Sequence, residues 1–433
     1  MEEPSLIIPS QPSSNNLPPN TPPGMNTSSS PQPQQKWLRI GIFAGAMTIV
    51  LLIGIVLRGP LLDFFITPHG LSALPLASLS PTLVPLSDIQ PATESSANTP
   101  LSHSSPTPSA VPAVYTMNVL VLSYFPLTVD GQTIDIQVTG DWGEPYQSTL
   151  LKTREQTQNL KNALEKGTKY LGYKNPAAPS SLKYTILDTK EYTTAVPMRD
   201  DGSRKPNYKG ILLNHDICDL VDTQGLTEVW IWAYQGPTHP DSTYPYLNIA
   251  ESKMAGPHGD ISNSYREGDM PVCSKTYRVY TFNYQRGTQS ALHSWGHQLE
   301  SEMEAVDRNL FRTLWQGMGS AVKEKRVARC GDVHFPPNAT ADYEYANETP
   351  YQANCLSWNP NETVATETIS CKNWGCADIS DSNNAELNYL IWNMQNIPGI
   401  DNGISYDGEI LSNWWAVHAD FDTAMNKRTL VVR

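Results

Sequence analysis

The stretch "ALHSWGHQLESEM", residues 291–303, sets two histidines four positions apart. On a helix, positions i, i+4 and i+7 share a face, so His293, His297 and Glu300 project together. Two imidazoles one turn apart can reach a single zinc ion, with a third protein ligand and one open position completing a hydrolytic site. Glu300, His334 of "CGDVHFPPN" and Glu386 of "NAELNYLIWNMQN" are the candidates for that third ligand. An ion held this way would acidify water toward neutrality and make a nucleophile available. The competing reading is that both histidines pack or hydrogen-bond structurally.

"HSWGH" resembles the HExxH helix of the zincin-class zinc metallopeptidases. The resemblance implies that His293 and His297 are metal ligands, that a third ligand lies downstream, and that residues 115–305 are similar to the upper domain of those enzymes. It departs at Ser294, where the family carries the glutamate that serves as general base. A serine hydroxyl holds no proton at a useful pKa, so another group must take that role. Glu300 and Glu302, on the same predicted helix, are the catalytic candidates. The wider pattern "VWIWAYQGP", "ESKMAGPHGDISNS", "RCGDVHFPPNATADYEY" and "LSNWW" is also similar to an uncharacterised family of bacterial secreted or membrane-anchored ectodomain proteins. That second resemblance bears on domain limits and implies no activity.

A different class of function has its own residues. The chain holds 11 Trp and 20 Tyr, several of them in loop-like contexts: Tyr244, Tyr246, Trp358, Trp374, and Trp414 beside Trp415. Aromatic faces flanked by amides suit sugar rings, so a non-catalytic surface module binding carbohydrate or cell wall is the alternative function. His258 and Asp260, in a glycine-rich loop, and Trp414 and Trp415 are its candidate binding residues. A glycosidase would need two carboxylates across a cleft, for which Glu251 with Asp260 can be named. The rival for the aromatics is a place in the core.

The elements around these residues read as follows. Residues 1–36 are dominated by Pro, Ser, Asn and Gln, a composition that cannot offset its ordering entropy, and are expected to be a disordered cytoplasmic tail. Within 37–58, the run from Ile40 to Leu57 carries no charge and has the length of a single membrane-spanning helix. Lys36 and Arg39 precede it, which favours the N-terminus inside and the C-terminal bulk outside the cytoplasm. Residues 59–114 read as a Pro/Ser/Thr-rich extracytoplasmic stalk.

The ectodomain, 115–433, contains all six cysteines: Cys218, Cys273, Cys330, Cys355, Cys371 and Cys376. Disulfides suit that compartment, and Cys371 with Cys376 is the expected local pair. The net charge of −13 argues against nucleic acid as a partner. The membrane and a surface or cell-wall glycan or peptide are the partners expected instead.

Periodicity predicts strands at 118–124, 182–188, 227–234 and 275–284, and helices near 152–171, 287–305 and 384–396. Residues 208–225 read as a short strand or turn leading into a small helix. The fold class is therefore α/β, with α+β as the alternative: a mixed-sheet, disulfide-stabilised ectodomain of zincin-like order, loop-rich toward its C-terminus.

Overall fold

The computed structural model describes residues 114–140, 142–201, 205–236, 249, 251–317, 329–361, 366–377 and 384–431. The expected tail, membrane segment and nearly all of the stalk lie outside these residues, as do Tyr244 and Tyr246. Among the described residues no helix is long and apolar enough to cross a membrane.

The chain runs β1 (Tyr115–Tyr124), α1 (Ile136–Thr139), α2 (Tyr146–Gly167), β2 (Leu182–Tyr192), α3 (Tyr208–Leu213), α4 (Ile217–Gln224), β3 (Glu228–Ala233), β4 (Ser252–Ala255) and β5 (Tyr277–Asn283). It continues through α5 (Thr288–Arg308), a π-helical turn at Asn309–Gln316, β6 (Tyr351–Ala353), β7 (Glu367–Ile369), α6 (Ala385–Gln395), β8 (Ser405–Tyr406), β9 (Glu409–Ile410), α7 (Trp415–Ala419) and α8 (Phe421–Lys427).

Five strands form one mixed sheet in the order β2-β1-β3-β5-β4. β1 runs parallel to β2 and β3, β3 runs parallel to β5, and β4 closes the edge antiparallel to β5. The parallel centre explains the sequence of its strands. "EVWIWA" and "YRVYTFN" are buried at every position, because both faces of a parallel sheet are covered and no alternation survives. Two small antiparallel ribbons, β6-β7 and β8-β9, lie in the C-terminal part.

Three disulfides join Cys218 to Cys273, Cys330 to Cys355 and Cys371 to Cys376, the last being the expected local pair. Residues 208–225 depart from expectation, since they hold two helices and no strand. Asn207 starts the first by accepting the Gly210 amide hydrogen, a cap that outweighs the strand-like "GILL". β4 departs in the other direction. Its four residues sit in the stretch read as a glycine-rich loop, too short to carry a period.

α5 is the element that matters for function. It packs against β5 on one side and against α2, α6 and α7 elsewhere. Its buried stripe includes Ala291, Leu292, Trp295, Leu299 and Met303, and the histidines fall on its less buried face.

Candidate metal centre

His293 and His297 stand one turn apart on α5, and His334 reaches them from the loop after Cys330. His297 Nε2 lies 3.1 Å from His293 Nε2 and 3.0 Å from His334 Nε2. The three ligand atoms fall within 4.8 Å of one another, so the cluster could hold a metal ion. His334 is thus the one of the three candidate third ligands that joins the pair directly.

Local sequence explains the approach of the loop. Gly296 lies between the two histidines, and a Cβ there would sit 2.8 Å from a Val333 methyl, so only glycine lets residues 333–334 press against the helix without displacement. Gly331 takes φ 77°, where a Cβ would also collide with the Phe335 carbonyl oxygen. Asp332 then folds the turn, its Oδ1 accepting the His334 and Phe335 amide hydrogens. Tyr389 on α6 donates to the Asp332 carbonyl from behind, and the Cys330–Cys355 disulfide ties the start of the loop.

Glu386 and Glu300 hold the imidazoles from outside. Glu386 Oε1 lies 3.0 Å from His293 Nδ1, and Glu300 Oε2 lies 3.0 Å from His297 Nδ1. Glu300 Oε1 also accepts from the Val333 amide and from Gln316 Nε2. Each carboxylate is a candidate third ligand by sequence, and in the structure each meets the Nδ1 of a histidine whose Nε2 faces the other rings.

Their position favours the Nδ1–H tautomer of His293 and His297, in which Nε2 turns a lone pair toward the other rings. Nitrogen lone pairs at 3.0–3.1 Å repel unless a proton or a metal ion lies between them. A tetrahedral ion at ordinary zinc–nitrogen distance would set its ligands roughly 3.3 Å apart, close to the two distances from His297 Nε2. Burial depresses the His334 pKa, aided by the neighbouring histidines, and so favours the neutral ligating form. Burial works the same way on His297, but the Glu300 carboxylate outweighs it and raises that pKa.

The triad opens onto a cavity of about 860 Å³. Lys152, Arg286, Tyr343, Tyr345 and Glu386 are among its walls, and Glu386 is the single carboxylate among the described lining residues. Tyr343 takes the left-handed backbone region at φ 67°, its ring 4.7 Å from that of His334 and its hydroxyl 3.4 Å from His334 Nε2. Tyr345 donates to the Val333 carbonyl, holding the same loop from a second side. Neither tyrosine carries a sequence signal; each is one tyrosine among 20.

The remaining candidates go elsewhere. Ser294 lines the cavity, but its hydroxyl bonds the Ser290 carbonyl one turn back. Glu302 does not line the cavity: it is fully buried on α5, where Arg278 Nε reaches its Oε1 at 2.6 Å and His418 Nδ1 its Oε2 at 2.8 Å. His418 Nε2 joins Glu228 Oε1 at 2.8 Å, and the Trp230 indole donates to Glu228 Oε2. Burial would raise Glu302, but the Arg278 and His418 charges override it and push its pKa down to about 2.

Trp414 and Trp415 are both fully buried, the first donating to the Leu430 carbonyl, so neither can offer a ring face to a sugar. Asp260 ties its own loop by accepting the Ser262 amide hydrogen, and His258 packs edge-on against Phe421. Neither lines the cavity. Glu251 is buried against Lys205 and the Tyr208 hydroxyl and forms no cleft pair with Asp260.

No family model, no curated protein and no solved structure matches the chain.

Proposed function

We propose that the chain is a metal-dependent hydrolase whose centre is a zinc ion on His293, His297 and His334. The observation that carries this reading is the convergence of three Nε2 atoms, two of them on rings whose Nδ1 meets a carboxylate, at the wall of an open cavity. Structural histidines have no need of that arrangement, whereas a ligating imidazole regularly carries an outer carboxylate. Three protein nitrogens leave a position for substrate and water, the mark of a catalytic rather than a structural site. Zinc there would supply Lewis acidity toward a substrate oxygen and toward water.

The chain's own groups do the rest. Glu300 and Glu386 orient the rings through Nδ1. Lys152 and Arg286, which also line the cavity, orient a substrate through its polar or anionic groups. The substrate is a surface peptide or cell-wall component, and the protein is anchored by residues 37–58 with the disulfide-bonded part outside the cytoplasm.

The test is a pool of quenched fluorescent peptides and muropeptides offered to the full chain. Cleavage should stop with a chelator, return with zinc, and be lost in His297→Ala. Cleavage that survives both the chelator and His297→Ala would sink the proposal.

A further inference from the structure

Farther along α6 lies a second cavity, of about 420 Å³, bounded by α2, α6 and the Cys371–Cys376 loop. Tyr173, Trp374 and Trp392 line it, with ring centroids 6.2 Å apart for Tyr173–Trp392 and 5.0 Å apart for Trp374–Trp392. The rings are locked before any ligand arrives. The Tyr173 hydroxyl donates to Asn396 Oδ1 at 2.7 Å, and the Trp374 indole donates to the Tyr345 carbonyl at 2.8 Å. The Cys371–Cys376 disulfide holds the loop that carries Trp374.

One polar side chain at this cavity has hydrogen-bonding capacity left. Asn388, on its wall and partly exposed, makes no side-chain hydrogen bond among the described residues. Lys166 and Lys169 stand at the rim, and no carboxylate is among the described lining residues.

The geometry points to a saccharide site for a sugar ring carrying an acidic group, separate from the metal centre. The partly exposed Tyr173 and Trp374 rings take the apolar face of the sugar ring. The Asn388 amide meets its hydroxyls, and the lysine ammoniums meet its carboxylate. The same two lysines exclude a cationic ligand, the other common guest of an aromatic pocket. Locked rings spare the binding event the cost of ordering them. Such a site would tether the protein to an acidic surface glycan while the 860 Å³ cavity acts on its own substrate.

Isothermal titration of the full chain with trigalacturonate, beside neutral maltotriose, tests this. Saturable binding of the acidic trisaccharide is expected, weakened at least about tenfold by Lys166→Glu and by Asn388→Ala, the size of one lost hydrogen bond to a charged or buried partner. Both positions are surface-accessible, so these variants keep the fold, and far-ultraviolet circular dichroism checks that they do. His297→Ala and chelator treatment should leave the affinity unchanged, which separates this site from carboxylate binding at the metal centre. No saturable binding, equal affinity for maltotriose, or affinity indifferent to Lys166 and Asn388 would each overturn the assignment.

Discussion

α5 contributes to two clusters of histidine and carboxylate, one through Glu302 and one through His293, His297 and Glu300, and they differ in one respect that decides what each can do. The inner cluster, Glu228, Arg278, Glu302 and His418, is sealed from solvent, and every charge in it meets an opposite charge. The outer cluster, His293, His297 and His334 with Glu300 and Glu386, turns its carboxylates outward and its Nε2 atoms toward one another, beside an open cavity. A closed set of pairs has nothing left to bind. An incomplete set of donors does.

The comparison can be broken first at its inner side. Removing one partner of a sealed ion pair strands the other, so Glu302→Gln should lower unfolding free energy by about 3–5 kcal/mol, read by urea denaturation. A loss below about 1 kcal/mol would mean that the inner charges are not coupled to the fold.

The inner cluster also sets a pH dependence with two limbs. Glu302 is depressed, so its contribution is present above the ordinary carboxylate value of about 4.3 and disappears as pH falls toward about 2. His418 is raised: burial lowers it, but the Glu302 charge prevails, so its contribution is present below about 6.5 and disappears as pH climbs through the raised value. The urea midpoint should therefore fall at both ends. In His418→Gln the alkaline limb should vanish; a limb unchanged in that variant would assign it to another group.

On the outer side the effects are smaller and run through the metal. Zinc at a hundredfold excess over its Kd should stabilise the parent by about 2.7 kcal/mol and His297→Ala not at all. Equal stabilisation of both by zinc would place the ion elsewhere. Glu300→Gln and Glu386→Gln should each weaken zinc affinity by about 10- to 100-fold while leaving one site intact, since each orients a ligand without being one. Competition against a chromophoric chelator reads this directly. Smallest is Gly296→Ala: the added methyl pushes on Val333 and through it on His334, at a cost of about 1 kcal/mol or more in stability and a measurable loss of zinc affinity. Unchanged affinity would show that the loop adapts freely.

How much of this could be read from residues alone follows from which signals are local. The histidine helix declares itself, because a 3.6-residue period and an i, i+4 pair lie within one continuous stretch. The buried strands declare themselves by apolar runs, and the Cys371–Cys376 pair by proximity. His334, Glu300 and Glu386 were all in view as ligands, but choosing among them depends on which atom faces which, and that is set by Gly296, Gly331 and Asp332, glycines and a turn with no chemistry of their own.

The inner cluster left even less trace. Glu228 and Arg278 are single charges at the ends of apolar strands, and their partners lie far along the chain. Trp414 and Trp415 mislead for the opposite reason, since a tryptophan in polar surroundings reads alike whether it caps a core or faces a sugar. β4 and α3 are short, and at four and six residues a period cannot outvote flanking glycines or a capping asparagine.

The central claim is that three nitrogens converge for an ion, and elemental analysis of the purified full chain tests it most directly, beside His297→Ala and His334→Ala. The account predicts about one zinc per folded parent chain, as a three-histidine centre requires, and none in either variant. A folded parent that holds no metal even after zinc is offered, or variants that hold as much as the parent, would contradict it.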